Sequence, residues 1–125
     1  MSIDNNRLLQ ILRIGHEVSI RGAGLPLHEA IRRSGYEALR GGLNTADLVP
    51  LLKAHPDFVE QWLMYSEDKR TSGGFWVTGN PIEVGSLTAT EPPLHFPSVE
   101  EAVAAFVVKE IDYWQTGGAC GGVWR

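Results

Sequence analysis

A change of pattern near the middle of the chain most constrains the fold. Residues 56–65 carry aromatic and aliphatic side chains at helical spacing, and residues 67–70 are four consecutive charges. Thr-Ser-Gly-Gly then leads into aromatic and β-branched residues, which are typical of strands. A helical part therefore ends near the charged block and a β part follows it. This arrangement predicts a single α+β domain with a central hairpin or small antiparallel sheet.

Glycine and proline separate the helices predicted at the start of the chain. Apolar residues at helical intervals predict a helix over residues 5–14, and the alternation in residues 16–21 suggests a short strand. Pro26 suits the first turn of the next helix, and Gly35 is a natural left-handed stop. We expect a further short helix over residues 36–40.

Capping residues and prolines place the next two helices. Pro50 lacks a backbone N–H and is easiest to place in a first turn, so we expect a helix that starts near Asp47 and runs to about Ala54. Pro56 then opens a longer helix. The apolar stripe of this helix consists of Phe58, Val59, Trp62, Leu63 and Tyr65.

The second half of the chain predicts a hairpin followed by one more helix. Strand-like residues 74–78 and 82–88 flank a Gly-Asn-Pro turn, and a double proline then predicts an extended loop that contains His95. Ser98 and Glu101 form a capping box that starts the last helix. We expect its buried face to carry Val99, Ala102, Val103, Phe106, Ile111 and Trp114.

Length and composition are those of one ordinary globular domain. The chain has 125 residues, of which 43% are hydrophobic and 21% charged. We predict one domain over residues 1–116 and a glycine-rich tail over residues 117–125.

Charge and cysteine content bound the partners and the compartment. The net charge of −4 disfavours nucleic acid as the partner, because phosphate binding needs clustered lysine and arginine. The chain up to Pro56 has seven basic and five acidic residues (+2), whereas the remainder has four basic and ten acidic residues (−6). The single cysteine, Cys120, excludes an internal disulfide. We see neither a signal peptide nor an apolar run that spans a membrane, so we expect a cytoplasmic protein.

Motifs of metal, nucleotide and thiol chemistry are incomplete. His28-Glu29 begins like a zinc-protease helix, but Arg32 stands where the second histidine is needed. Gly22-Ala23-Gly24 lacks the third glycine of a dinucleotide loop, since Leu27 occupies that position. Cys120 lies between glycine pairs without a neighbouring base. We therefore expect no metal, no cofactor and no catalytic residue from these motifs.

The charged block between the helix and the hairpin is the candidate binding site. Arginine, tryptophan and tyrosine dominate the energetics of protein interfaces, and several of them flank this block. The alternative is a well-solvated turn, in which the cations complement the helix dipole. The predicted partner-binding residues are Trp62, Tyr65, Glu67, Asp68, Lys69, Arg70 and Trp76.

Three functional hypotheses follow from these residues. The first is a non-enzymatic protein-binding module, of adaptor or toxin-neutralising type, that uses an acidic, aromatic surface to hold a protein partner. The second is a small enzyme whose cleft assembles a constellation of carboxylate, guanidinium and imidazole groups. The third is a structural homodimer that pairs through exposed tryptophans. The enzyme hypothesis would use Glu67, Asp68, Arg70 and His95.

Overall fold

The protein is an α+β domain of helices packed on a small sheet. The computed structural model describes residues 5–17, 27–36, 42–68, 74–87 and 92–115. The described residues form α1 (Asn5–Leu12), α2 (Ile14–Glu17), α3 (Leu27–Ser34), α4 (Thr45–Ala54), α5 (Pro56–Asp68), β1 (Phe75–Gly79), β2 (Ile82–Ser86), β3 (Leu94–His95) and α6 (Val99–Gln115). This fold confirms the predicted α+β class.

The last helix, α6, is the centre of the core. It contacts α3, α4 and α5 as well as both strands of the hairpin. Every residue from Ala102 to Val107 is buried, which is the pattern of a helix surrounded by other elements. Phe106 is fully buried, as predicted. The Oγ of Ser98 accepts the N–H of Glu101 at 3.3 Å, so the predicted N-cap is confirmed.

The sheet is antiparallel and has the strand order β1-β2-β3. β1 and β2 form the predicted hairpin, joined through a cis Asn80–Pro81 bond. Val77 pairs with Val84, and because both are buried, their shared face is the one that packs on the helices. β3 occupies part of the predicted loop and pairs with β2. The prediction that His95 lies in an extended loop is therefore wrong, because His95 belongs to β3.

The start of the chain differs from its predicted pattern. The predicted helix over residues 5–14 divides into α1 and α2, and His16 and Glu17 belong to α2 instead of a strand. The packing of α2 against α5 accounts for this. A Cβ added to Gly15 would lie 2.8 Å from Cδ2 of Trp62, so only glycine lets the backbone of α2 approach the Trp62 ring this closely.

Two neighbouring helices test the capping predictions. α4 begins two residues earlier than predicted, at Thr45, and the carboxylate of Asp47 accepts the N–H of the N-cap Asn44 at 3.4 Å. Pro50 consequently lies inside the helix, where it removes one backbone hydrogen bond. α5 opens at Pro56 as predicted.

Gly35 follows α3 with φ of +74°, which confirms the predicted left-handed stop. Of the short helix predicted over residues 36–40, only Tyr36 lies within the described residues, and the tail predicted over residues 117–125 lies outside them. None of the helices in the described ranges has both the length and the apolar character that crossing a membrane requires.

Candidate functional site

Trp62, the first residue of the predicted binding site, lies in the core. Its side chain has 0% exposure, and its Nε1 donates a hydrogen bond to the carbonyl of Leu12 at 2.8 Å. Its ring makes edge-on contacts with Tyr65 and Phe106, at centroid distances of 5.3 Å and 6.0 Å. Trp62 therefore holds helices together and contributes no area to the surface.

Tyr65 is tied to a buried carboxylate that the sequence analysis missed. The Tyr65 hydroxyl donates to Oε2 of Glu110 at 2.6 Å, and Nε1 of Trp114 donates to the same oxygen at 2.9 Å. The other oxygen, Oε1, accepts the backbone N–H of Phe75 at 2.8 Å. Glu110 has 0% exposure, so one carboxylate joins α5, β1 and α6 inside the protein. The available signal was an acidic residue one helical turn before Trp114, on the apolar face of α6.

The environment of Tyr65 raises its pKa above the usual value of 10.0. The largest cause is burial, which disfavours the phenolate, and the nearby Glu110 charge acts in the same direction. The hydrogen bond to Glu110 also favours the protonated hydroxyl. Tyr65 is therefore a donor that stabilises the packing around Glu110.

The raised pKa of Tyr65 predicts a loss of stability in alkaline solution. Below about pH 10 this hydroxyl keeps its proton in both the folded and the unfolded chain, so its contribution is fully present. Above that pH the unfolded chain loses the proton first, and the free energy of unfolding falls by about 1.4 kcal/mol per pH unit from this group. Urea melts of wild type and Tyr65→Phe over a series of alkaline pH values measure this fall in the free energy of unfolding. We expect the stability difference between the two proteins to fall as pH rises, and parallel curves would contradict the assignment.

The other predicted site residues occupy different parts of the junction. Glu67 is exposed near the end of α5, and Asp68 is the last residue of that helix. Lys69 and Arg70 lie outside the described residues, and so does the turn predicted there. Trp76 is half-buried on the outer face of the hairpin. A Cβ added to Gly85, its cross-strand partner, would lie 2.3 Å from Cζ2 of Trp76, so the ring covers this glycine closely.

Helix side chains close one edge of the sheet. The N–H groups of Phe75 and Val77 point away from β2, where Glu110 and Ser66 accept them at 2.8 Å and 2.9 Å. These two donors at the edge of β1 are therefore satisfied within the protein and are not available to another strand.

The opposite edge, formed by β3, is open within the described part of the chain. The N–H of Phe96 bonds to the carbonyl of Ile82, and Leu94 pairs with Val84. Main-chain groups alternate in direction along an antiparallel strand, so the N–H and C=O of His95 point outward, where no described strand pairs with them. Leu94, which belongs to this strand, is a large apolar side chain that is 52% exposed.

A shallow cleft lies beside this open edge. Leu94 shares the helix-facing side of the sheet with Val84, but it remains exposed. The Nζ of Lys109 lies 5.7 Å from the centre of the Phe75 ring, within cation–π range. The space measures about 330 Å³, open solvent included. Its lining consists of Phe75, Val84, Gly85, Ser86, Pro92, Leu94 and Lys109.

Two groups of charged side chains in the described residues form ion pairs with near neighbours. Nε2 of His95 lies 3.3 Å from Oε2 of Glu83 on the neighbouring strand. Hydrogen bonds from Arg32 and then Arg33 lower the pKa of the partly exposed Glu29, on the same helix as both arginines. Within the described ranges, no three His, Cys, Asp or Glu side chains are placed to hold a metal ion. The open edge and its cleft are therefore the structural features best suited to recognition.

Comparisons with protein-family models, with curated proteins and with solved structures find no match to this chain.

Proposed function

We propose that this protein is a non-catalytic protein-binding module that receives an extended segment of its partner along β3. The observation that carries this proposal is the outward-pointing main chain of His95 beside the exposed side chain of Leu94. In strand addition, main-chain hydrogen bonds align the incoming segment and alternate side chains select it. The edge of β3 offers both kinds of contact.

The two edges of the sheet differ, and this difference supports β3 as the edge that receives the partner. The β1 edge is blocked by Glu110 and Ser66, whereas the described residues leave the β3 edge uncovered. Complete burial of a leucine side chain contributes about 1.5–3 kcal/mol. Covering the exposed part of Leu94 is therefore a driving force for a partner along β3.

The proposed surface differs from the one expected from the sequence. The aromatic anchors predicted at the helix–hairpin junction included Trp62, which has no exposed area. The binding role of the adaptor or toxin-neutralising type is retained, but its apolar contacts come from the sheet edge. The net charge of −4 and the single cysteine fit an acidic module in a reducing, cytoplasmic setting.

A selection from random displayed peptides tests this role. We expect wild type to retain peptides that Leu94→Asp binds at least about tenfold more weakly, equivalent to about 1.4 kcal/mol, because the variant places a charge where the partner's apolar side chain packs. Ala54→Asp is the matched control: it adds the same charge at an exposed position at the end of α4 and should retain the peptides. Thermal melts establish that both variants are folded.

Two results would contradict the proposal. One is that wild type retains no peptides, or that Leu94→Asp retains them equally well. The other is that light scattering shows wild type forming a dimer that Leu94→Asp abolishes, which would make a second copy of the chain the occupant of this edge.

A further inference from the structure

The cleft beside β3 combines an apolar lining with one cation. Phe75 and Val84 lie on the helix-facing side of the sheet, and Leu94 and Pro92 lie along the open edge. Lys109 reaches this cleft from α6, with its ammonium group over the Phe75 ring. A ligand in the cleft thus meets apolar carbon and a positive charge together.

The charge of Lys109 has no carboxylate partner among the described residues. Asp112, one helical turn further along α6, accepts a hydrogen bond from the Tyr36 hydroxyl at 3.0 Å. Lys109 is exposed. Within the described part of the chain, its ammonium group contacts the Phe75 ring. A cation that has no carboxylate partner within the described residues, in a protein of net charge −4, favours an acidic group in the ligand.

The size of the cleft limits what it holds. Without the open solvent, the cavity volume is about 60 Å³, far below the roughly 300–1,000 Å³ of small-molecule sites, so the cleft suits single side chains better than a large cofactor. In an extended segment, residues two positions apart face the same side. A segment paired with β3 therefore presents two side chains, from residues two positions apart, toward the cleft.

We infer that the cleft selects a partner segment that carries an apolar and an acidic side chain two positions apart. The apolar side chain packs on Phe75, Val84 and Leu94, and the carboxylate meets Lys109. This inference rests on the proposed function, since it names the chemistry of the segment that β3 receives.

The probes are two synthetic peptides with blocked ends. One carries leucine and glutamate two positions apart among threonines, and its twin carries glutamine in place of the glutamate. Each is titrated into isotope-labelled protein while the amide resonances of Phe75, Val84 and Leu94 are followed. We expect both peptides to shift these resonances and the glutamate peptide to bind about two- to fivefold more tightly, the range of an exposed ion pair.

Variants of Lys109 isolate the charge. Lys109→Gln should remove the preference for glutamate, whereas Lys109→Arg should keep it, and both should fold because the side chain is exposed. The preference should also weaken with added salt.

The outcomes separate this inference from the function on which it rests. Equal binding of the two peptides, or a preference that persists in Lys109→Gln, overturns the acidic specificity and leaves strand addition at β3 standing. A third peptide, with an unblocked carboxyl terminus, is a further test. If binding requires this free carboxyl terminus, the acidic specificity is overturned and strand addition at β3 still stands. Failure of both blocked peptides while displayed peptides still bind in a Leu94-dependent way also overturns the inference alone. Failure of all peptides overturns the proposed function as well.

Discussion

Replacing Glu110 with alanine is expected to lower the free energy of unfolding by about 3–5 kcal/mol. The substitution removes the acceptor for the Tyr65 hydroxyl, the Trp114 indole and the backbone N–H of Phe75. Each buried donor left without an acceptor costs about 1–3 kcal/mol, and removal of the side chain also leaves a cavity. Urea unfolding of the wild type and the variant measures the loss.

Glu110→Gln refines this test. The Phe75 and Trp114 donors use different oxygens of the carboxylate, and neither N–H can reverse its role. Whichever way the glutamine amide is turned, its NH₂ group faces one of them, so we expect a loss of about 1–3 kcal/mol. Glu60→Gln, on the exposed face of α5, should change stability by no more than about 0.5 kcal/mol. An alanine variant as stable as Glu60→Gln would show that Glu110 does not join these elements.

Trp62→Ala is expected to lower the free energy of unfolding by about 3–5 kcal/mol. The variant removes a fully buried ring that contacts Tyr65 and Phe106, and it leaves the carbonyl of Leu12 without its indole donor. Trp62→Phe restores part of the volume but not the hydrogen bond, so its loss should be smaller. Denaturant melts rank the three proteins.

The same variants decide between the core role of Trp62 and the surface role expected from the sequence. If Trp62→Ala lost less than about 1 kcal/mol and instead released the displayed peptides, the tryptophan would be an interface anchor. Peptide binding by the folded Trp62→Phe protein should remain close to that of wild type.

Local signals in the sequence were sufficient for most of the helices and for the hairpin. Ser98 caps α6 and Pro56 opens α5, because these effects depend on backbone groups only a few residues away. Packing between distant segments explains the failures. Gly15 lies under the ring of Trp62, and this contact is invisible in the local alternation that suggested a strand at His16.

The candidate site depended still more on distant contacts. Tyr65 and Trp62 have the composition of an interface, but whether an aromatic ring faces the solvent or the core depends on partners such as Glu110, 45 positions along the chain from Tyr65. The open edge arises from two residues, Leu94 and His95, that pair with β2 after a double proline. A strand this short leaves too little alternation to be detected from sequence.

The bonds of Glu110 also determine how the protein opens. Because one side chain joins α5, β1 and α6, these elements should lose their structure together in a global event. β3 has two register pairs with β2, so it can detach in a local fluctuation that leaves the rest of the fold intact. The domain thus combines an interior that unfolds cooperatively with one edge strand that opens locally. A molecule that paired with β3 would mainly suppress the detachment of β3 from β2.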